Sequence, residues 1–262
     1  METFRTVTYE VHNPKIRNNV RFAVLADLHG NCFGENNGVL LEKIREYAPD
    51  AILLAGDMVV RMEPSTLETA GKLLCTLAKN FPIFYAMGNH ETKMKAKEHI
   101  YRNEYLEYQE ELKQKGICFL ANEKVKTSLS GNPFAISGLE LPLEYYHKPF
   151  SPELTSKKME ELIGKPDPGA VNILLAHNPK YGKTYFNWGA DLILSGHYHG
   201  GVMRLSRHVG VLSSQFIPFP KYCCGDFYKN GKCMIVSAGL GEHTVPIRIH
   251  NPRELIFIEM KP

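Results

Sequence analysis

The run Ile52-Leu53-Leu54-Ala55-Gly56-Asp57 constrains this chain more than any other stretch. It has the length and apolar content of a strand buried on both faces. A glycine then turns it, and a carboxylate stands at its C-terminal tip. The construction recurs. Residues 20–26 stop at Asp27-Leu28-His29-Gly30, 81–87 at Gly88-Asn89-His90-Glu91, 171–176 at His177, and 191–194 at Ser195-Gly196-His197-Tyr198-His199. Alone, an Asp after glycine is an ordinary turn or cap residue, and an Asp–His pair two apart ordinarily finishes a turn. Five such tips in order change that reading, because open α/β sheets bind ligands outside the carboxyl ends of their strands.

Helical spacing separates the first three tips. Residues 39–47 and 64–79 repeat apolar side chains every three or four positions, as do residues 93–115, where Tyr101, Tyr105 and Tyr108 form a core-facing seam. Strand, polar tip and helix in alternation predict βαβ units with the tips along one edge. Residues 3–12 read as a half-exposed strand, 117–120 as a strand, and 123–138 as a hairpin turned at Ser130-Gly131-Asn132-Pro133. Strands at 233–237 and 255–259 follow a loop at 213–226. No repeat or linker divides the chain, so residues 1–262 are expected to form one domain. Residues 139–167, irregular with a short helix, are expected to shape substrate access.

The tips collect two carboxylates, one amide oxygen and several imidazoles. Oxygen and nitrogen donors without thiolate suit Mn, Fe, Zn or Co. The set exceeds what one ion uses, and a pair of ions sharing a carboxylate fits it better. Lysine and arginine number 31 against 28 acids, a net charge of +3. This balance argues against nucleic acid as partner. The six cysteines include no Cys-x-x-Cys pair and are expected as free thiols. No apolar run reaches the ~20 residues of a membrane span, and the N-terminus lacks a signal-peptide core. With Met1 as the native start the expected location is cytoplasmic; an anchor upstream of it would make the protein membrane-associated.

In order, Asp27-x-His29, Gly56-Asp57, Gly88-Asn89-His90-Glu91, His177 and Gly196-His197-x-His199 match the full motif series of the calcineurin-like metallophosphoesterases. Each motif is unspecific; the ordered set is highly specific, and the resemblance covers residues 20–240. It implies an α/β fold, a two-sheet αββα sandwich with metals at the C-terminal strand ends. It further implies that Asp27, His29, Asp57 and His199 hold one ion and that Asp57, Asn89, His177 and His197 hold the other. Asp57 bridges the pair, a hydroxide shared by both ions attacks phosphorus in line, and His90 is the general acid. Glu91 is expected to orient a ligand from behind it. The implied activity is metal-dependent hydrolysis of a phosphoester or pyrophosphate bond in a phosphorylated small molecule or lipid phosphate. The segments Phe219-Pro220-Lys221-Tyr222 and Ala238-Gly239-Leu240-Gly241 resemble a bacterial phosphohydrolase branch. A metal-dependent nuclease and a scaffold without turnover are the competing readings. His12, His99, His147, His208 and His250 are read as surface or packing residues, while His243 is a candidate to approach the site.

Overall fold

The computed structural model describes residues 3–147, 150–213, 217–242 and 247–262. The first half runs β1 (Phe4–His12), β2 (Val20–Leu25), α1 (Gly38–Tyr47), β3 (Ala51–Ala55), α2 (Ser65–Ala78), β4 (Ile83–Ala86), α3 (Asn89–Met94), α4 (Arg102–Gln114) and β5 (Cys118–Leu120). Then come β6 (Glu123–Leu129), β7 (Asn132–Leu139), α5 (Ser156–Ile163), β8 (Val171–Ala176), α6 (Gly182–Trp188), β9 (Leu192–Ser195), β10 (Gly225–Lys229), β11 (Lys232–Val236) and β12 (Arg253–Lys261). They form two six-stranded sheets, ordered β1-β12-β2-β3-β4-β5 and β10-β11-β9-β8-β7-β6. β2, β3, β4 and β5 are parallel, as are β7, β8, β9 and β11.

Strand alternation explains the continuous apolar runs. In the first sheet Ala23, Leu25, Ile52 and Leu54 turn outward onto Leu40, Ile44, Leu67, Leu74, Tyr105 and Tyr108 of α1, α2 and α4. Their neighbours Phe22, Val24, Leu53 and Ala55 turn inward and meet Phe134, Ile136, Ile173 and Leu175 of the second sheet. Leu174 and Ala176 face outward onto Met159 and Ile163 of α5 and Tyr185, Phe186 and Trp188 of α6. Every central strand is therefore covered on both faces, and each fully buried large side chain contributes about 1.5–3 kcal/mol. The layering is α–β–β–α, as the resemblance implies.

Three elements depart from the sequence reading, and the first of them, α6, lies between the fourth and fifth strand tips where no helix is expected. The helix expected over 93–115 is broken: α3 ends at Met94 and α4 begins at Arg102. Between them Arg102 Nε donates to Lys95 O at 3.2 Å and Lys95 Nζ pairs with Glu140 at 2.6 Å. The chain turns there, so α3 presents its N-terminal residues to the strand tips while α4 lies on the sheet. Strand β10 overlaps the loop read at 213–226 only at Gly225 and Asp226 and otherwise lies in residues to which the sequence reading assigns no element. It pairs antiparallel with β11 across Asn230 and Gly231, both at positive φ, the two-residue turn that favours Asn-Gly.

Candidate metal centre

Asp27, Asp57 and Asn89 follow the adjacent parallel strands β2, β3 and β4, while His177 and the His197/His199 pair follow the adjacent parallel strands β8 and β9. All these tips therefore leave their sheets on one edge. Their backbones then bend in an unusual way: Asp27, His29, Asp57, His197 and His199 all have φ between 49° and 70°. Such conformations cost on the order of 1–3 kcal/mol each in non-glycine residues and persist where the surroundings over-determine them. Here neighbouring tips are tied together. Asp27 N donates to Gly56 O at 3.0 Å, His29 N to Asp57 O at 3.1 Å and Gly196 N to His177 O at 3.1 Å. A left-handed turn after Leu25, and not strand alternation, brings Asp27 and His29 to one side. Glycine is needed where the carboxylates lie: a Cβ on Gly88 would meet Asp57 Oδ1, and one on Gly196 would meet Asp27 Oδ2.

Asp27, His29 and His199 offer donor atoms within 4.8 Å of one another, and so do Asp57, His177 and His197. His29, Asp57 and His90 form a third such group that overlaps both. His177 Nε2 lies 2.9 Å from Asp57 Oδ2 and 3.8 Å from Asp27 Oδ1. All are buried except His29 and His90, which are partly exposed. The residues fit cations. Asn89 Oδ1 is buried without a hydrogen bond, a cost of ~1–3 kcal/mol that a metal would remove. Nε2 of His29 faces Nε2 of His199 at 3.2 Å, where at most one proton fits between them. Burial and the His199 and His90 rings hold the His29 imidazole down to about 3, so it stays neutral with a lone pair to share. Burial works against charge on His177 as well, yet the adjacent Asp57 carboxylate raises it to about 10.

Backbone and side-chain contacts orient these donors. His177 Nδ1 donates to Ala55 O at 2.7 Å, which leaves Nε2 facing the centre. His197 N donates to both oxygens of Asp27, at 2.9 and 3.0 Å, and His90 N to Asp57 Oδ1 at 2.8 Å. Glu91, buried behind Asp57, accepts four hydrogen bonds: from Asp57 N, Gly88 N, Met58 N and Tyr85 Oη, at 2.7–3.0 Å. Burial and then the Asp57 charge push its carboxyl up to about 7, against donors that favour the ionised form. Two supports escaped the sequence reading. Arg248 Nη2 lies 3.3 Å from His199 Nδ1, and Asn251 Nδ2 donates to His199 O and Gly201 O, both at 2.6 Å. They stand about fifty positions after the motif and belong to no pattern that spacing could reveal. His243 lies outside the described residues.

Oxygen and imidazole donors at the strand ends of a layered α/β sandwich define a class of metal-assisted hydrolases. The chain belongs to the calcineurin-like phosphoesterase family, whose model matches residues 20–201. It is 27% identical over 250 residues to YpbG of Bacillus subtilis, covering 94% of this chain and 82% of that protein. It is also 26% identical to the metallophosphoesterase Cj0846 of Campylobacter jejuni, across 100% of this chain and 64% of that one. Phosphodiesterase YaeI of Escherichia coli is 29% identical over 185 residues, 69% of this chain and 61% of that protein. The chain thus spans less than two thirds of the length of the latter two relatives. Among solved structures, the sulfate thiohydrolase SoxB of Thermus thermophilus superposes with a TM-score of 0.51 at 14% identity, over 92% of this chain and 56% of that one. That likeness is one of fold.

Proposed function

We propose that Asp27, His29, Asp57 and His199 hold one cation and Asp57, Asn89, His177 and His197 a second, and that the chain hydrolyses a phosphorylated small molecule or lipid phosphate beside them. The observation that carries this reading is that the Asp27/His29/His199 and Asp57/His177/His197 triads are joined by a third donor group that contains both His29 and Asp57. The donor chemistry fits Mn, Fe, Zn or Co. Bound there, a cation pair would activate water towards phosphorus and neutralise charge on the phosphoryl oxygens. The chain's own residues do the rest. Asp57, accepting from His90 N and lying against His177, supplies the shared negative charge. Arg61 N donates to His90 Nδ1 at 3.1 Å, which leaves the ring proton on Nε2. The His90 ring stands 4.8 Å from that of the candidate ligand His29, which supports this proton as the one given to the leaving oxygen. Tyr146, from the 139–167 segment, sets its ring edge-on 5.2 Å from that of His197 and narrows the approach.

Manganese-loaded protein assayed on bis-p-nitrophenyl phosphate and p-nitrophenyl phosphate tests the activity. Turnover of neither substrate with metal bound would leave only a scaffold. The His90 role predicts that His90→Ala keeps its metal content and loses ~10²–10⁴-fold in kcat on an alkyl phosphoester. The loss is expected to be smaller on a nitrophenyl ester, whose leaving group needs no proton. Equal losses on both esters, or loss of metal, would contradict the assignment.

A further inference from the structure

Beside the candidate centre, residues 202–213, 217–219 and 247–250 build a small sheet. Val202 N donates to Leu212 O, Val211 N to Met203 O, Leu205 N to Val209 O, Phe219 N to Val211 O and Ile249 N to Val202 O, all at 2.8–2.9 Å. Its alternation runs inside out. Arg204, Gly210 and Ser213 are buried against the protein, Arg204 at 3.6 Å from Glu254. The outer face is apolar: Leu205 is 61% exposed, Val209 39%, Phe219 62%, Ile247 51% and Ile249 39%. Register gathers these side chains, since the Arg204–Gly210 pairing sets Leu205 opposite Val209 and a further bridge joins Ile249 to Met203. Single exposed apolar residues are ordinary, whereas a contiguous face of them marks an interaction surface.

Charge and size together select the occupant. From Gly201 to Gly225 the sequence contains no Asp or Glu. Exposed Lys221 and Arg207 lie in the same stretch, Arg207 also reaching Asp226 at 2.8 Å. Among the described residues the face consists of five exposed apolar side chains, well short of the roughly 20–30 residues a side of a stable protein interface. We propose that it docks the protein on an anionic lipid bilayer, with the apolar side chains at the acyl boundary and Arg207 and Lys221 among the headgroups. His199 leads into this sheet through Gly200 and Gly201, and Arg248, between Ile247 and Ile249, touches His199. Docking would therefore bring the flank of the metal centre to the bilayer surface. The proposal stands on the surface alone and is independent of what the centre hydrolyses.

Flotation with vesicles of phosphatidylcholine and phosphatidylglycerol in equal parts tests it, with pure phosphatidylcholine vesicles as comparison. The wild-type chain is expected to float with the anionic vesicles. A Leu205→Ser/Phe219→Ser variant is expected to bind at least ~10-fold more weakly, and Arg207→Glu/Lys221→Glu to lose the preference for phosphatidylglycerol. Unchanged circular dichroism and thermal midpoint would show that the variants remain folded. No binding to either vesicle overturns the proposal. So does a wild-type dimer that the double-serine variant converts to monomer without any vesicle binding, which would make a second copy the occupant.

Discussion

Asp57→Asn is expected to emerge from purification without bound metal and with kcat/KM on bis-p-nitrophenyl phosphate reduced at least ~10³-fold. The substitution keeps size and shape. The amide oxygen can still accept from His90 N, which lies 2.8 Å from Asp57 Oδ1, and the amide nitrogen can stand beside His177 Nε2 where Asp57 Oδ2 now lies at 2.9 Å. What disappears is the charge, together with the second carboxylate oxygen through which Asp57 would reach both cations. Two cations brought close together repel strongly in a site shielded from water, and a single anionic oxygen pair between them offsets most of that repulsion. Metal analysis and initial rates on the same preparation decide the matter. An Asp57→Asn variant holding two equivalents of metal would show that Asp57 does not bridge.

Glu91→Gln is the second large effect, and it acts on the fold more than on the chemistry. Oε1 accepts from Met58 N and Tyr85 Oη, and Oε2 from Asp57 N and Gly88 N. A glutamine is best placed with its NH2 towards Met58 N and Tyr85 Oη, where the phenol can turn and accept but the Met58 N–H faces another donor in a fully buried place. Leaving that buried donor unsatisfied costs roughly 1–3 kcal/mol. Urea unfolding should show that loss at unchanged m-value. Metal affinity should fall with it, because the left-handed backbone of Asp57 is held by this carboxylate. A variant within about 0.5 kcal/mol of wild type, the usual range of surface substitutions, would mean that Glu91 is not the hub described.

Strands buried on both faces must be apolar throughout, so each polar side chain at a strand end stands out in the sequence; the two-sheet layering and the assignment of the seven candidate ligands rest on the family resemblance that those tips carry. Asp27, Asp57, Asn89, His177 and His197 all follow within a few residues of a buried strand. The backbone turns that aim them are not visible in this way, because nothing in Asp-Leu-His signals φ near 50°. Glu91 is half visible. Its place in the motif is plain, but its four donors come from β3, its turn and β4. Arg248 and Asn251 are invisible from spacing, since they reach His199 from a loop about fifty residues later. The break between α3 and α4 escapes notice for a related reason. Residues 95–101 have good helix formers and no proline, so only tertiary contacts, among them Lys95 with Glu140, end the helix there.

The candidate ligands come from both sheets, with Asp27, Asp57 and Asn89 on one and His177, His197 and His199 on the other. A cation pair bound among them would therefore act as a clasp across the sandwich at the margin where the left-handed turns concentrate strain. Elsewhere the layers are joined by oily side chains that tolerate small slippage; at this rim the join would be ionic and dictated by coordination geometry. Robustness of the folded chain would then track the supply of free metal in its surroundings instead of being a fixed property of the polypeptide.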